Sequence, residues 1–290
     1  MLKNLSYQVR KLLNNSFVCY CKVEPSFRGN LSNIKKQKMT NHQVPVYLSY
    51  GKSSVAYFSI HEATNLLVFV HGFNGDTLKT WTGFIEQIIT DRDFSNSDIL
   101  FYGYSTFESQ AYTHSTVLTK DLNEFLEKYD INYKKIIIIG HSLGAIITRY
   151  AVINAYEKKY KWAEKIKIYL FAPAHNGARI QNLIFLGLPS FTKLLGSVIL
   201  YKYPIIDDLK PGSLCLERLE KKVKSYCGTA FEKNLIAYIL EAKNDKIVHN
   251  NYFCFDIHSD NSPVKKSHTS ICKPKKKYYE IPIIEIKKLL

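Results

Sequence analysis

Four consecutive isoleucines, Ile136 to Ile139, follow Lys134 and Lys135 and run directly into Gly140-His141-Ser142-Leu143-Gly144. An unbroken β-branched run suits a parallel strand covered on both faces. Ala145 to Tyr156 then reads as a helix. A strand that passes through a G-x-S-x-G pentapeptide into a helix must turn sharply at the serine. Small residues on both sides allow that turn to close. The serine hydroxyl is lifted clear of the backbone, at a helix N-terminus whose free N–H groups and dipole favour negative charge. Few features of a 290-residue chain constrain it more.

The rest of the pattern fits around this unit. Val55–Ile60, Leu66–Val70, Asp98–Tyr104, Lys165–Phe171 and Leu235–Glu241 read as strands, and Tyr252–Phe255 as a short last one. Leu78–Thr90, Val117–Tyr129 and Leu143–Tyr156 read as helices. Strands alternating with helices predict an α/β fold with a mostly parallel sheet and right-handed crossovers. The domain is expected to occupy residues 44–290. Residues 1–43 read as a basic amphipathic segment, with Leu2, Leu5, Val9, Leu12 and Leu13 on one helical face, followed by a polar linker. That segment suits a targeting peptide, an interfacial anchor or a helix docked on the domain.

The strand–elbow–helix pattern is that of the α/β-hydrolase fold, in which the nucleophile precedes an acid and then a histidine along the chain. Ser142 is therefore the candidate nucleophile. Asp245, in the loop after the Leu235 strand, is the preferred acid, with Asp207 and Asp208 as rivals that precede that strand. His268 is the preferred base, set in a small polar cluster expected to leave its ring accessible. His258 and His249 are the alternatives. The backbone N–H groups of Phe73 and Leu143 are the candidate oxyanion donors. His71 lies before the serine, so it reads as a structural residue of the Phe73 loop. The chemistry needs neither metal nor cofactor.

Beyond the fold, the stretch from His71 through Gly72 to Trp81 resembles the HG…G…TW block of the lipase-like serine esterases. These include the serine-active-site-containing protein family and, more distantly, the GPI inositol-deacylases. Asp98 to Thr106, the elbow, Phe171 to Ala178, Asp208 to Leu216 and His268 to Pro274 follow in the same order. The resemblance spans Leu66 to Pro274 and implies esterase or lipase activity on lipid-like acyl esters, with Ser142, His268 and Asp245 in the catalytic roles. The chain departs from the pattern at Ala145, where a third glycine is common, and at Ala174-His175-Asn176, where Pro-His-Arg is usual.

Residues 182–232 form an insertion whose apolar stretches, Asn182 to Phe191 and Leu194 to Tyr201, suit either a lid over the nucleophile or ordinary core packing. They are too short and broken to span a membrane. The net charge of +15 favours anionic partners. No nucleic-acid motif accompanies it, so the expected contact is peripheral, with an anionic membrane. The bland alternative is a merely solvated basic surface. Lys265, Lys266, Lys273, Lys275, Lys276 and Lys277 cluster near the candidate base. Six cysteines without metal spacing read as reduced, mostly buried thiols in an intracellular, cytoplasmic protein, with organelle targeting left open by the N-terminus.

Overall fold

The computed structural model describes residues 20–23, 47–50, 54–59, 62–88, 91–128, 132–186, 203–249, 251–263 and 265–290, the first two stretches and 184–186 by their backbone alone. Among the described residues, nine strands form one sheet: β1 (Tyr20–Val23), β2 (Tyr47–Tyr50), β3 (Ser54–Ser59), β4 (Asn65–Val70), β5 (Ser97–Tyr102), β6 (Lys135–His141), β7 (Ile166–Phe171), β8 (Ala237–Leu240) and β9 (Ile257–His258). Their order is β1-β2-β3-β5-β4-β6-β7-β8-β9, with β1 also paired to β3. From β5 to β9 every pairing is parallel, whereas β3 runs antiparallel to β5. Tyr20–Val23, within the segment expected to precede the domain, thus join the sheet through antiparallel pairing with β3.

The isoleucine run fills the middle. Ile136 to Ile139 of β6 are at most 1% exposed, as a strand flanked on both edges and both faces requires. The helices among the described residues are α1 (Phe84–Ile88), α2 (Ala111–Lys128), α3 (Leu143–Glu157), α4 (Ile180–Leu186), α5 (Pro204–Asp208), α6 (Leu214–Lys224), α7 (Glu232–Leu235) and α8 (Ile281–Lys287). The chain leaves β4 for β5 on one side and later places β6 on β4's other side. This is a topological switch point, where ligands of open α/β sheets bind beyond the carboxyl ends of the strands. The loop after β4 and the elbow after β6 flank it.

Most strand bounds shift by one or two residues, Leu235 falling in α7, and three elements depart from expectation for a visible reason. The helix expected over Leu78–Thr90 divides into a 3₁₀ turn, Lys79–Trp81, and α1. Gly83 separates them with φ 94°, its Cα packed on the Pro274 carbonyl. α2 begins at Ala111, because the Asp208 carboxylate accepts its N–H at 2.7 Å and caps the helix from a distant part of the chain. The last strand is Ile257–His258, not Tyr252–Phe255. Cys254 takes φ 49°, which ends any extended run there.

α3 is buried from Leu143 to Ala155, and it carries Arg149 with its side chain fully inaccessible. The guanidinium pairs with both Asp256 carboxylate oxygens, donates to the Leu235 carbonyl at 2.7 Å and reaches His175 Nε2 at 3.1 Å. Asp256 also accepts the Ala237 N–H at 3.1 Å, so one ion pair ties α3 to the start of β8. Replacing Arg149 with Met would leave that carboxylate buried and uncompensated. We expect a loss of about 3–5 kcal/mol, read as a lowered denaturant midpoint. Arg149→Met combined with Asp256→Leu should recover part of it. An undiminished midpoint in the single variant would show that the pair does not hold the domain.

Candidate active site

Ser142 is the single residue between the end of β6 and the start of α3, and it adopts φ 54°, ψ −117°. A non-glycine residue holds such a conformation only when its surroundings enforce it. Here Ser142 N donates to the Phe171 carbonyl of the neighbouring strand at 3.1 Å. The Ser142 carbonyl accepts Ala145 N at 3.1 Å and Ala174 N at 3.3 Å. Gly144 lets α3 approach β4. A Cβ there would stand 2.2 Å from the Val70 carbonyl oxygen and 2.6 Å from that of His71.

Asp245 follows β8 in a tight turn, its N–H donating to the Ala242 carbonyl at 3.0 Å. Its Oδ1 accepts the N–H groups of Ile247 and Val248 at 2.8 and 3.2 Å. The other oxygen, Oδ2, lies 2.8 Å from His268 Nδ1, and His268 Nε2 lies 2.9 Å from Ser142 Oγ. The three residues expected to act together therefore form one hydrogen-bonded row, although Ser142 and His268 stand 126 positions apart along the chain. Burial raises the Asp245 pKa. The hydrogen bond and charge of His268, with the two N–H groups, outweigh burial and hold the carboxyl below its ordinary value. With Asp245 ionised, Nδ1 keeps the ring proton and Nε2 is free to accept from the serine hydroxyl. The His268 ring is only 3% exposed and meets solvent through the cleft it lines, in contrast to the open setting expected.

The rival residues are engaged elsewhere. Asp207 is exposed and pairs with Lys210. Asp208 caps α2. His258 faces Glu241 at 3.5 Å, and His249 donates its backbone N–H to the Gly177 carbonyl. His71 is buried in the loop after β4, donating from Nδ1 to the Gly72 carbonyl at 2.9 Å, as its structural reading anticipated.

A cleft of about 350 Å³ opens over Ser142 and His268, lined also by Gly72, Phe73, Asp76 and Lys273. Phe73 thus lies on the cleft wall, while Leu143 is wholly buried in the first turn of α3. No acceptor among the described residues takes either backbone N–H. The Phe73 loop is fixed from the neighbouring connection. Tyr104 donates its hydroxyl to the His71 carbonyl at 2.7 Å and stacks on the His71 ring at 4.3 Å, and Thr106 Oγ1 accepts Asn74 N at 3.1 Å. Of the basic cluster, Lys273 lines the cleft. Lys266 and Lys275 lie over the rings of Tyr279 and Tyr278.

Tyr104 and His141 escaped the sequence reading. His141 Nε2–H donates to the His268 carbonyl at 2.8 Å. Burial, then the proximity of His268, pushes its pKa down to about 3, so it stays a neutral donor that steadies the His268 loop. Its place inside the G-x-S-x-G motif was the available signal. Tyr104 had none, since its contact joins two loops. Of the proposed lid, 187–202 and the side chains of Ile184, Phe185 and Leu186 lie outside the described residues, as do those of the expected N-terminal amphipathic face. Among the described cysteines Cys272 is buried, Cys215 and Cys254 are half-buried and Cys227 is exposed, all as free thiols. No described helix is long and apolar enough to cross a membrane.

Residues 61–201 match the model of a family described as "Putative serine esterase (DUF676)". The structure is similar to a lipase of Bacillus licheniformis in mature form, with TM-score 0.54 and 16% identity, covering 78% of this chain and 93% of that one. It is also similar to a peroxisomal α/β-hydrolase of Saccharomyces cerevisiae, with TM-score 0.52 and 11% identity, covering 94% and 88%. At these identities the likeness establishes the fold.

Proposed function

Since this chain has the α/β-hydrolase fold and its residues 61–201 match a serine-esterase family model, we propose that it hydrolyses carboxylic acyl esters of lipid-like molecules through Ser142, His268 and Asp245. The observation that carries this reading is the row from Asp245 through His268 to Ser142, set at a strained elbow, with the Phe73 and Leu143 N–H groups taken by no acceptor among the described residues. Ser142 Oγ attacks the ester carbonyl and its proton passes to His268 Nε2. Asp245 stays ionised and stabilises the imidazolium. The carbonyl oxygen becomes an oxyanion held by the N–H groups of Phe73 and Leu143. As the tetrahedral intermediate collapses, the C–O bond breaks and the alcohol leaves with the proton from His268. Water then attacks the acyl-enzyme, giving its proton to His268, and the acid departs as Ser142 recovers its own.

The test is a panel of ester, thioester and amide substrates sharing one acyl chain, together with labelling by a fluorophosphonate. Ester turnover with labelling is expected. Labelling with preference for the thioester or amide would move the chain to another leaving group, and no labelling would reduce the fold to an interaction module.

Three further expectations belong to the same reading. Tyr104→Phe removes the hydroxyl that holds the His71 carbonyl, a hydrogen bond worth about 0.5–1.5 kcal/mol. If that bond positions the oxyanion loop, kcat should fall several-fold with KM little changed. Equal loss in melting temperature without a change in kcat would assign it to stability alone. For the insertion, we propose a lid that shapes an acyl pocket. Phe185→Ser should then leave the melting temperature nearly unchanged and impair long-chain esters more than short ones. Burial of such a side chain is worth about 1.5–3 kcal/mol, so a large melting loss with equal loss on both substrates would return it to the core. The lysines near His268 would add peripheral attraction to anionic bilayers, seen as salt-sensitive retention on anionic vesicles.

A further inference from the structure

A second cavity, of about 660 Å³, lies between the first turn of α2, the middle of α3 and the outer face of α6. Its volume exceeds that of the cleft over Ser142 and falls within the range of small-molecule sites. The α6 sequence explains its lining. Leu216, Leu219 and Val223 face the core, which turns Leu214, Arg218, Lys221 and Ser225 outward at helical spacing. Opposite them stand Tyr112 and Tyr150, ring to edge at 5.3 Å. Leu214 is 67% exposed and Tyr112 49%, so two large apolar side chains face solvent at one concave site.

The charge is one-sided at the rim. Lys222 is held by Glu157 at 2.9 Å, whereas Arg218 and Lys221 have no carboxylate partner among the described residues. The one acidic lining residue, Asp208, is buried with its carboxylate on the N-terminus of α2. An apolar aromatic wall beside two unpaired cations matches a molecule with a tail and an anionic head. We propose that this cavity binds a single-chain carboxylate amphiphile, its chain against Tyr112, Tyr150 and Leu214 and its carboxylate on Arg218 and Lys221. The site is separate from the cleft, and its binding is read without turnover.

Titration calorimetry with monomeric dodecanoate, below its micelle concentration, tests this on the full chain. One equivalent should bind. Dodecyltrimethylammonium, whose head charge is reversed, and acetate, which lacks the tail, should bind at least tenfold more weakly. Arg218→Glu and Lys221→Glu should each weaken dodecanoate at least tenfold. Both lie on the exposed face of α6, and an unchanged melting temperature would verify folding. Arg218→Gln serves if the reversal perturbs the helix. Absent binding, equal binding of the cationic amphiphile, or binding indifferent to both residues would overturn the proposal. So would vesicle retention sensitive to Arg218 without binding of the monomer, since that assigns the surface to a bilayer.

Discussion

Ser142→Ala should reduce ester turnover by roughly six orders of magnitude and abolish fluorophosphonate labelling, while the melting curve changes little. The expected loss is large because, in the proposed mechanism, the group removed is the atom that forms the acyl-enzyme bond. What survives comes from binding and the oxyanion donors, which act on water as well as on serine. The expected change in stability is small because, among the described residues, Ser142 Oγ makes one hydrogen bond, to His268 Nε2, worth about 0.5–1.5 kcal/mol. A companion variant separates chemistry from strain. Ser142→Gly should be equally inert, yet it relieves φ 54° and ψ −117°, where a side chain is disfavoured. Strained backbone positions cost about 1–3 kcal/mol, so the glycine variant should be the more stable of the two by about that amount. Persistent labelling in either variant, or labelling at another serine, would remove Ser142 from its role.

Much of this site was legible because its signals are local or ordered along the chain. The elbow announces itself within nine residues, Ile136 to Gly144, because strand period, turn chemistry and helix onset must all be satisfied there. Asp245 and His268 were reached by chain order and by their places after strands. Other features were hidden because they depend on contacts between remote segments. The Asp208 carboxylate lies 97 positions from the amide it caps, and Arg149 lies 107 from Asp256. No window contains either pair. The last strand illustrates the same limit. Tyr252 to Phe255 is the more apolar stretch, but Phe253 is buried against His175 and Arg149, and Cys254 turns the chain. Pairing with β8 therefore falls to Ile257 and His258. Long-range burial overrides β-propensity where the run is only a few residues long.

Asp245→Asn should lower kcat by roughly 10⁴-fold with KM little changed, the effect of giving a catalytic histidine the wrong tautomer. The surroundings dictate which way the new amide points. Ile247 and Val248 aim two N–H groups at Oδ1, so the amide oxygen must take that place. Its NH₂ then faces His268 Nδ1, where the native carboxylate oxygen Oδ2 stands. A donor there forces Nδ1 to accept, moves the ring proton to Nε2, and leaves nothing to receive the Ser142 proton. The same geometry predicts a pH-dependent stability. The native carboxyl is held below its ordinary value, so the folded state releases its proton more readily than the unfolded chain does. Its contribution is complete above the unfolded carboxyl pKa of about 3.9 and is lost as pH falls through the lower folded value. Wild type should therefore exceed Asp245→Asn in stability by a constant margin near neutrality, and that margin should shrink below about pH 4. Denaturation midpoints at pH 7, 5 and 3, measured beside the rates, would check both halves. Activity within tenfold of wild type, with Asp207→Asn or Asp208→Asn inert instead, would give the acid's role to another residue.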